Sequence, residues 1–174
     1  MSLLNRRWFQ YPRDEKLSAE IANEFNISKV TSQVLINRGI KTVEAASSFI
    51  NPRLSELKGP FEIPNMKKAV GRVLLAKERG EKATVYGDFD VDGVTSTAIV
   101  VLALRKLGID TSYYIPHRYN EGYGMHEEAV SKIAGDGTKL IITVDCGITN
   151  AKEIEKAASL GVDVIVTDHH NIPK

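Results

Sequence analysis

From residue 81 onward short β-rich runs alternate with helical runs, and this alternation limits the fold more than any other feature. The β-rich runs are ATVYG (83–87), TSYYI (111–115), KLIITV (139–144) and VDVIV (162–166), with helical stretches at 93–107, 125–134 and 150–160 between them. LIITV and VIV are apolar on both faces, the pattern of strands covered from both sides in a parallel sheet. Parallel strands joined through helices form right-handed βαβ units. The prediction is an α/β domain with an open, doubly wound parallel sheet.

The first part of the chain reads differently. Leu17, Ile21 and Phe25 recur every four residues and mark one helix. Ser28 is placed to cap a second helix carrying Val30, Val34 and Leu35 up to Gly39. Thr42 opens a third, which must end before Pro52. Three prolines and a glycine in 51–64 form a linker-like stretch. A further helix from Asn65 to Gly80 places Met66, Val70, Val73 and Leu74 on one side. The expected division is a helical region and linker over 1–64 and an α/β domain over 65–174. That domain ends on a strand and loop, TDHHNIPK, which reads as a domain cut short.

Composition excludes several classes. With 43% hydrophobic and 26% charged residues, the chain has material for a core and is not a disordered or fibrous sequence. No apolar run approaches the roughly 18 residues of a membrane span, and the first sixteen residues lack a signal peptide's apolar middle. Cys146 is the single cysteine, so no internal disulfide forms and a reducing cytoplasm is the expected location. The net charge of +1 is the sum of +6 over residues 1–80 and −5 over 81–174. Such asymmetry fits a polyanion-binding arm beside a cation site, and equally fits ordinary surface charge.

Ligands of open α/β sheets bind at the carboxyl ends of the strands. Those ends carry Asp88, Asp90 and Asp92 after the first strand, Asp145 after the third, and Asp168-His169-His170 after the fourth. Two unit charges 4 Å apart repel by about 1 kcal/mol in water and about 4 kcal/mol near a protein surface. A rim of five carboxylates therefore calls for protons or cations, and mixed carboxylate and imidazole donors favour manganese over calcium or magnesium. Taken singly, Asp92 or Asp168 fits a helix N-cap, Asp145 a turn, His117 and His126 the surface, and Cys146 a small buried apolar residue. Thr95 and Ser96, in the first turn after Asp92, are candidate phosphate-binding residues. The loop from Pro116 to Gly124, with two tyrosines, reads as a plain turn first and as a segment approaching substrate second. No G-x-x-x-x-G-K-[ST] nucleotide loop occurs.

The segments VYGDFDVDGVTST, ITVDCG and VTDHH resemble the first three signature motifs of the DHH phosphoesterase superfamily. NRGIKTVEAASSFINP, AVGRV and YIPHRYNEGYG extend the likeness to its single-stranded-DNA-specific exonuclease branch. The resemblance implies a two-metal site filled by Mn2+, with Mg2+ as the second choice. Asp90 then binds the first ion, Asp92 and His169 the second, and Asp145 bridges both. Asp168 stands behind His169 as its orienter, and His170 faces the scissile phosphate. Many members carry a histidine ligand where this chain has Tyr86, and Asp88 is the residue placed to replace it. The superfamily's fourth aspartate motif and its second, DNA-gripping domain are expected beyond Lys174.

The implied activity is metal-dependent phosphodiester hydrolysis, in a parent enzyme that degrades single-stranded DNA from its 5′ end to mononucleotides in repair and recombination. Single-stranded DNA is the implied partner, together with a helicase and a single-strand-binding protein, and no membrane. Three alternatives stay open. One is a DHH phosphoesterase acting on oligoribonucleotides, cyclic dinucleotides or polyphosphate. Another is a haloacid-dehalogenase-type phosphatase, because Asp90-Val91-Asp92-Gly93 mimics that nucleophile motif. The last is a metal- or DNA-binding module without turnover, the reading that applies to residues 1–174 taken alone.

Overall fold

A computed structural model describes residues 9–172. The first eight residues of the stretch read for a signal peptide, and the final Pro173 and Lys174, lie outside that range. The chain divides into two compact units, Met1–Gly59 and Pro60–Lys174, so the division falls inside the proline-containing stretch.

In the first unit, helices α1 (Glu15–Phe25), α2 (Lys29–Asn37) and α3 (Val43–Ile50) each begin at a side-chain cap. Asp14, Ser28 and Thr42 accept from the N–H groups of Leu17, Thr31 and Ala45, which satisfies one otherwise unpaired donor in each first turn. Ile21, Leu35, Ile36 and Ala46 form the core, with Leu17 and Phe25 packed against it. Val30 and Val34, expected to share the inward face with Leu35, are instead 75% and 50% exposed. The cause is Ser32, whose fully buried hydroxyl donates to the Ser18 carbonyl at 2.8 Å and meets the Ser18 hydroxyl at 2.9 Å. That pair turns Ser32, Leu35 and Ile36 inward.

The second unit opens with α4 (Met66–Arg79), closed by Gly80 in the left-handed conformation, φ +61°. β1 (Lys82–Gly87), α5 (Val91–Lys106), β2 (Thr111–Tyr114), α6 (Glu127–Gly135), β3 (Thr138–Val144), α7 (Ala151–Ser159) and β4 (Asp163–Thr167) follow. The four strands are parallel and run in the order β2-β1-β3-β4. Ala76 of α4 and Val101 and Leu104 of α5 pack with Val85, Leu140 and Ile142 on one face of the sheet. Ala129, Val130 and Ile133 of α6 and Ala157 of α7 pack with Tyr86 and Ile141 on the other. The sheet is therefore doubly wound, as predicted.

Three details depart from the sequence reading. β4 borders the four described strands and is only partly buried, although Val164 and Ile165 of the apolar VIV run pack against opposite faces. α5 starts at Val91 and its N-cap is Asp90, not Asp92. On α4, Val73 packs inward but Leu74 is half exposed. Because β2 and β3 flank β1 on opposite sides, the chain reverses its winding direction there. The carboxyl ends of β1 and β3 consequently border the crevice where such sheets bind ligands.

Candidate metal centre

The turn leaving β1 is wound tightly by two glycines. A Cβ on Gly87 would fall 2.0 Å from the Thr97 hydroxyl, and one on Gly93 would fall 2.4 Å from the Asp88 carbonyl oxygen. Between them Asp88 is 4% exposed, and its Oδ1 is buried without a hydrogen-bond partner among the described residues. Asp90, at the helix start, accepts from the N–H groups of Asp92 and Gly93, each at 3.0 Å. These backbone donors, Gly93 foremost, hold its carboxyl below the ordinary range.

β3 hands the chain to Asp145, 8% exposed and left-handed at φ +61°. Aspartate tolerates that conformation better than most residues. The Asp145 N–H donates to the Thr167 carbonyl at 3.0 Å, which fixes the residue to the end of β4. Burial, and after it the negative charge of Asp90, pushes the Asp145 carboxyl upward. Its Oδ1 lies 3.0 Å from His169 Nε2.

Donor atoms of Asp88, Asp90 and Asp145 lie within 4.8 Å of one another, and so do those of Asp145, His169 and His170. Asp145 belongs to both trios. Among the sequence-derived ligands, Asp92 falls outside them. It lines an open cleft of about 430 Å³ together with Thr95, Ser96, Asp145, Asp168 and His169. The Thr95 and Ser96 hydroxyls donate to the Val91 and Asp92 carbonyls at 2.7 and 2.6 Å, so their protons are engaged within α5 rather than offered to a phosphate.

Asp168 is placed differently from the expectation that it orients His169. Its side chain is fully buried, with Oδ2 accepting from Ile148 N–H at 3.0 Å. Its Oδ1 accepts from His170 N–H at 3.0 Å and pairs with His170 Nδ1 at 2.7 Å. The carboxylate closes a turn onto the residue two positions on, so it braces the second histidine and leaves the first to Asp145. Burial opposes the Asp168 charge, yet the Ile148 and His170 hydrogen bonds hold its pKa low. The Asp168 partner in turn raises that of His170.

Tyr86 is engaged elsewhere. It is fully buried on the α6–α7 side, stacks on Tyr114 at 5.1 Å and donates its hydroxyl to the Gly124 carbonyl at 3.1 Å. Cys146 is buried, its thiol pushed up to about 12 mainly by that burial, in keeping with an inert packing role.

The loop after β2, read above as a plain turn, contributes to the rim. Arg118 stacks over the Phe89 ring at 4.7 Å and its charge helps hold Asp90 ionised. The Tyr123 hydroxyl lies 3.1 Å from His170 Nδ1 and 3.3 Å from the Asp145 carbonyl. The available signal was position: this loop leaves the carboxyl end of β2, on the same edge as the acidic turns.

A donor set of three crowded carboxylates with an unpaired buried oxygen fits a bound dication, which would satisfy that oxygen and cancel the repulsion. The comparisons agree with this chemistry. Residues 82–174 match the DHH family, N-terminal domain. The single-stranded-DNA-specific exonuclease RecJ of Bacillus subtilis is 41% identical over 165 residues, covering 94% of this chain and 21% of its own length. The Escherichia coli protein of the same name is 46% identical over 77% of this chain and 23% of its own. This chain thus spans about a fifth of the length of these relatives.

Among solved structures, exonuclease RecJ bound to manganese superposes with a TM-score of 0.59 at 44% identity, covering 62% of this chain and 28% of that one. RecJ in complex with Mn2+ from Thermus thermophilus gives 0.60 at 30% identity, covering 91% and 22%. With its three acidic strand ends and the winding of its sheet, the chain belongs to the DHH family.

Proposed function

We propose that this chain carries the metal-binding core of a manganese-dependent phosphodiesterase, and that the protein it serves is a 5′→3′ single-stranded-DNA exonuclease acting in repair and recombination. The observation that carries the reading is Asp145, the one carboxylate common to both donor trios. Asp88, Asp90 and Asp145 would hold one ion. Asp145 and His169 would hold the other, with Asp92 as the further donor from the cleft wall. Mixed oxygen and nitrogen donors favour Mn2+, with Mg2+ the weaker fit. When bound, paired dications lower the pKa of a shared water and neutralise charge developing on phosphorus.

The chain's own residues do the orienting. Asp168 holds His170 through Nδ1, which leaves Nε2 to donate to a phosphate oxygen, and the raised His170 pKa favours the protonated donor. Asp90, anchored by two backbone donors, cannot swing away when the cleft fills. The direction of digestion and the choice of DNA come from the relatives named single-stranded-DNA-specific exonuclease. A helicase and a single-strand-binding protein are the partners, and the cytoplasm the location, that go with this reading. Among the described residues no helix is long and apolar enough to cross a membrane.

The test is a chimera in which this chain replaces the matching 165 residues of the Bacillus subtilis relative. With Mn2+ it should convert end-labelled single-stranded DNA to mononucleotides from the 5′ end. Cleavage of a cyclic dinucleotide or an oligoribonucleotide with single-stranded DNA spared would overturn the assignment.

A further inference from the structure

The geometry points to Tyr123 as a positioning residue, whose hydroxyl ties the His170 ring to the Asp145 peptide and so holds the second donor trio in shape. This inference rests on the phosphodiesterase reading only for its kinetic consequence. The rings of Tyr123 and His170 meet edge to face at 5.7 Å, and the hydroxyl lies 3.1 Å from Nδ1. The same Nδ1 lies 2.7 Å from Asp168 Oδ1. An ionised carboxylate only accepts, so Nδ1 carries the proton. The Tyr123 oxygen therefore accepts a share of that N–H, and its own proton goes to the Asp145 carbonyl at 3.3 Å. One hydroxyl serves as acceptor and donor between two strand ends, a pairing that phenylalanine cannot make.

The loop is built to hold the ring there. Two residues before Tyr123, the Glu121 carboxylate accepts from the His117 N–H at 2.7 Å and from the Tyr114 hydroxyl. One residue after it, the Gly124 carbonyl accepts from the buried Tyr86 hydroxyl at 3.1 Å. Gly124 has φ +87°, and a Cβ there would fall 2.9 Å from Asn150 Oδ1, which in turn accepts from Met125 N–H at 3.1 Å. Tyr123 is thus pinned on both sides.

Tyr123→Phe separates this role from stacking on a nucleic-acid base, which the phenyl ring would preserve. Two measurements decide. Long-range 15N–1H spectra of the metal-free chain should show a slowly exchanging proton on His170 Nδ1. In Tyr123→Phe that proton should exchange faster, at an unchanged melting temperature. In the chimera described above, Tyr123→Phe should lower kcat about tenfold and leave KM within about twofold. Unchanged imidazole signals with an unchanged kcat would overturn the proposal. So would a normal Tyr123→Phe beside a Tyr123→Ala that raises KM, the signature of a stacking platform. If the unsubstituted chimera fails to digest single-stranded DNA, the proposed function falls while the imidazole spectra still decide the tether.

Discussion

Asp88→Asn should stabilise the metal-free protein while cutting its response to manganese to that of the one ion held by Asp145 and His169. Asp88 and Asp145 are both buried, with acid oxygens within 4.8 Å of each other. At an effective dielectric of about 20, two unit charges at that separation repel by about 3.5 kcal/mol. Part of this is relieved by solvent screening on the cleft side and by small side-chain shifts. A gain of about 2 kcal/mol is the reasonable expectation, or roughly 6–12 °C in melting temperature for a unit of this size. The amide fits the same space, and Asp88 Oδ1 has no hydrogen bond to lose. Its new N–H groups can face Asp145, turning repulsion into attraction. Manganese at a hundredfold excess over its Kd should stabilise the unsubstituted chain by about 2.7 kcal/mol. Thermal melts with EDTA and with a manganese series give both numbers. If Asp88→Asn melts lower than its parent in EDTA, or keeps the full manganese shift, the crowded-carboxylate account of this site is wrong.

Asp145→Asn, which keeps a side chain tolerant of the left-handed backbone, should reduce manganese stoichiometry to zero by calorimetry. Asp90→Asn should leave one site filled, and equal loss in the two variants would contradict a bridging role for Asp145. Gly93→Ala should cost about 3 kcal/mol in denaturant melts, since the added methyl meets Asp88 backbone atoms at 2.4 to 2.6 Å that cannot step aside; near-parental stability would show the turn is looser than described. Chiefly the Asp168 hydrogen bond raises the His170 pKa above its unfolded value, so this pair's contribution is complete below about pH 6.5 and lost as pH rises through the raised value. Comparing the metal-free chain with His170→Ala from pH 5 to 9 should therefore show curves that converge on the alkaline side; parallel curves would refute the pairing.

What the sequence discloses here follows the range of the interactions involved. Caps at Ser28 and Thr42 and the stop at Gly80 depend on neighbours within a turn, and all three stand where local chemistry puts them. The two-sided burial of β3 is legible because a strand between β1 and β4, with helices on each face, has no wet side. The same apolar composition overstates the burial of β4, where Val164 and Ile165 pack against opposite faces but stay partly exposed. Val30 and Val34 mislead because hydrophobicity alone cannot see that a buried serine pair fixes the rotation of α2. Strand-end position singled out Asp88, Asp90, Asp145 and His169, whose donor atoms the fold gathers into two trios sharing Asp145. It could not assign Asp168 to His170, which depends on a turn closing over two residues, nor bring Tyr123 across 47 positions to His170.

The arrangement also explains why the least comfortable residues are gathered at one place. A carboxylate with an unpaired buried oxygen, a left-handed aspartate, and two glycines packed against the Thr97 hydroxyl and the Asp88 backbone all lie where β1 and β3 end. Each would be selected against in a sequence chosen for stability alone. They are tolerated because β1 and β3 are the most buried strands of the sheet, with apolar contacts on both faces that over-determine where the turns must go. Strain of this kind is useful only if something bound relieves it. A dication between Asp88, Asp90 and Asp145 would remove the repulsion and satisfy the unpaired oxygen together, so folding and metal binding should be linked through the same three side chains. Placing the crowding at the strand ends, and not inside the sheet, keeps that linkage open to solvent on the cleft side, where a dication can enter.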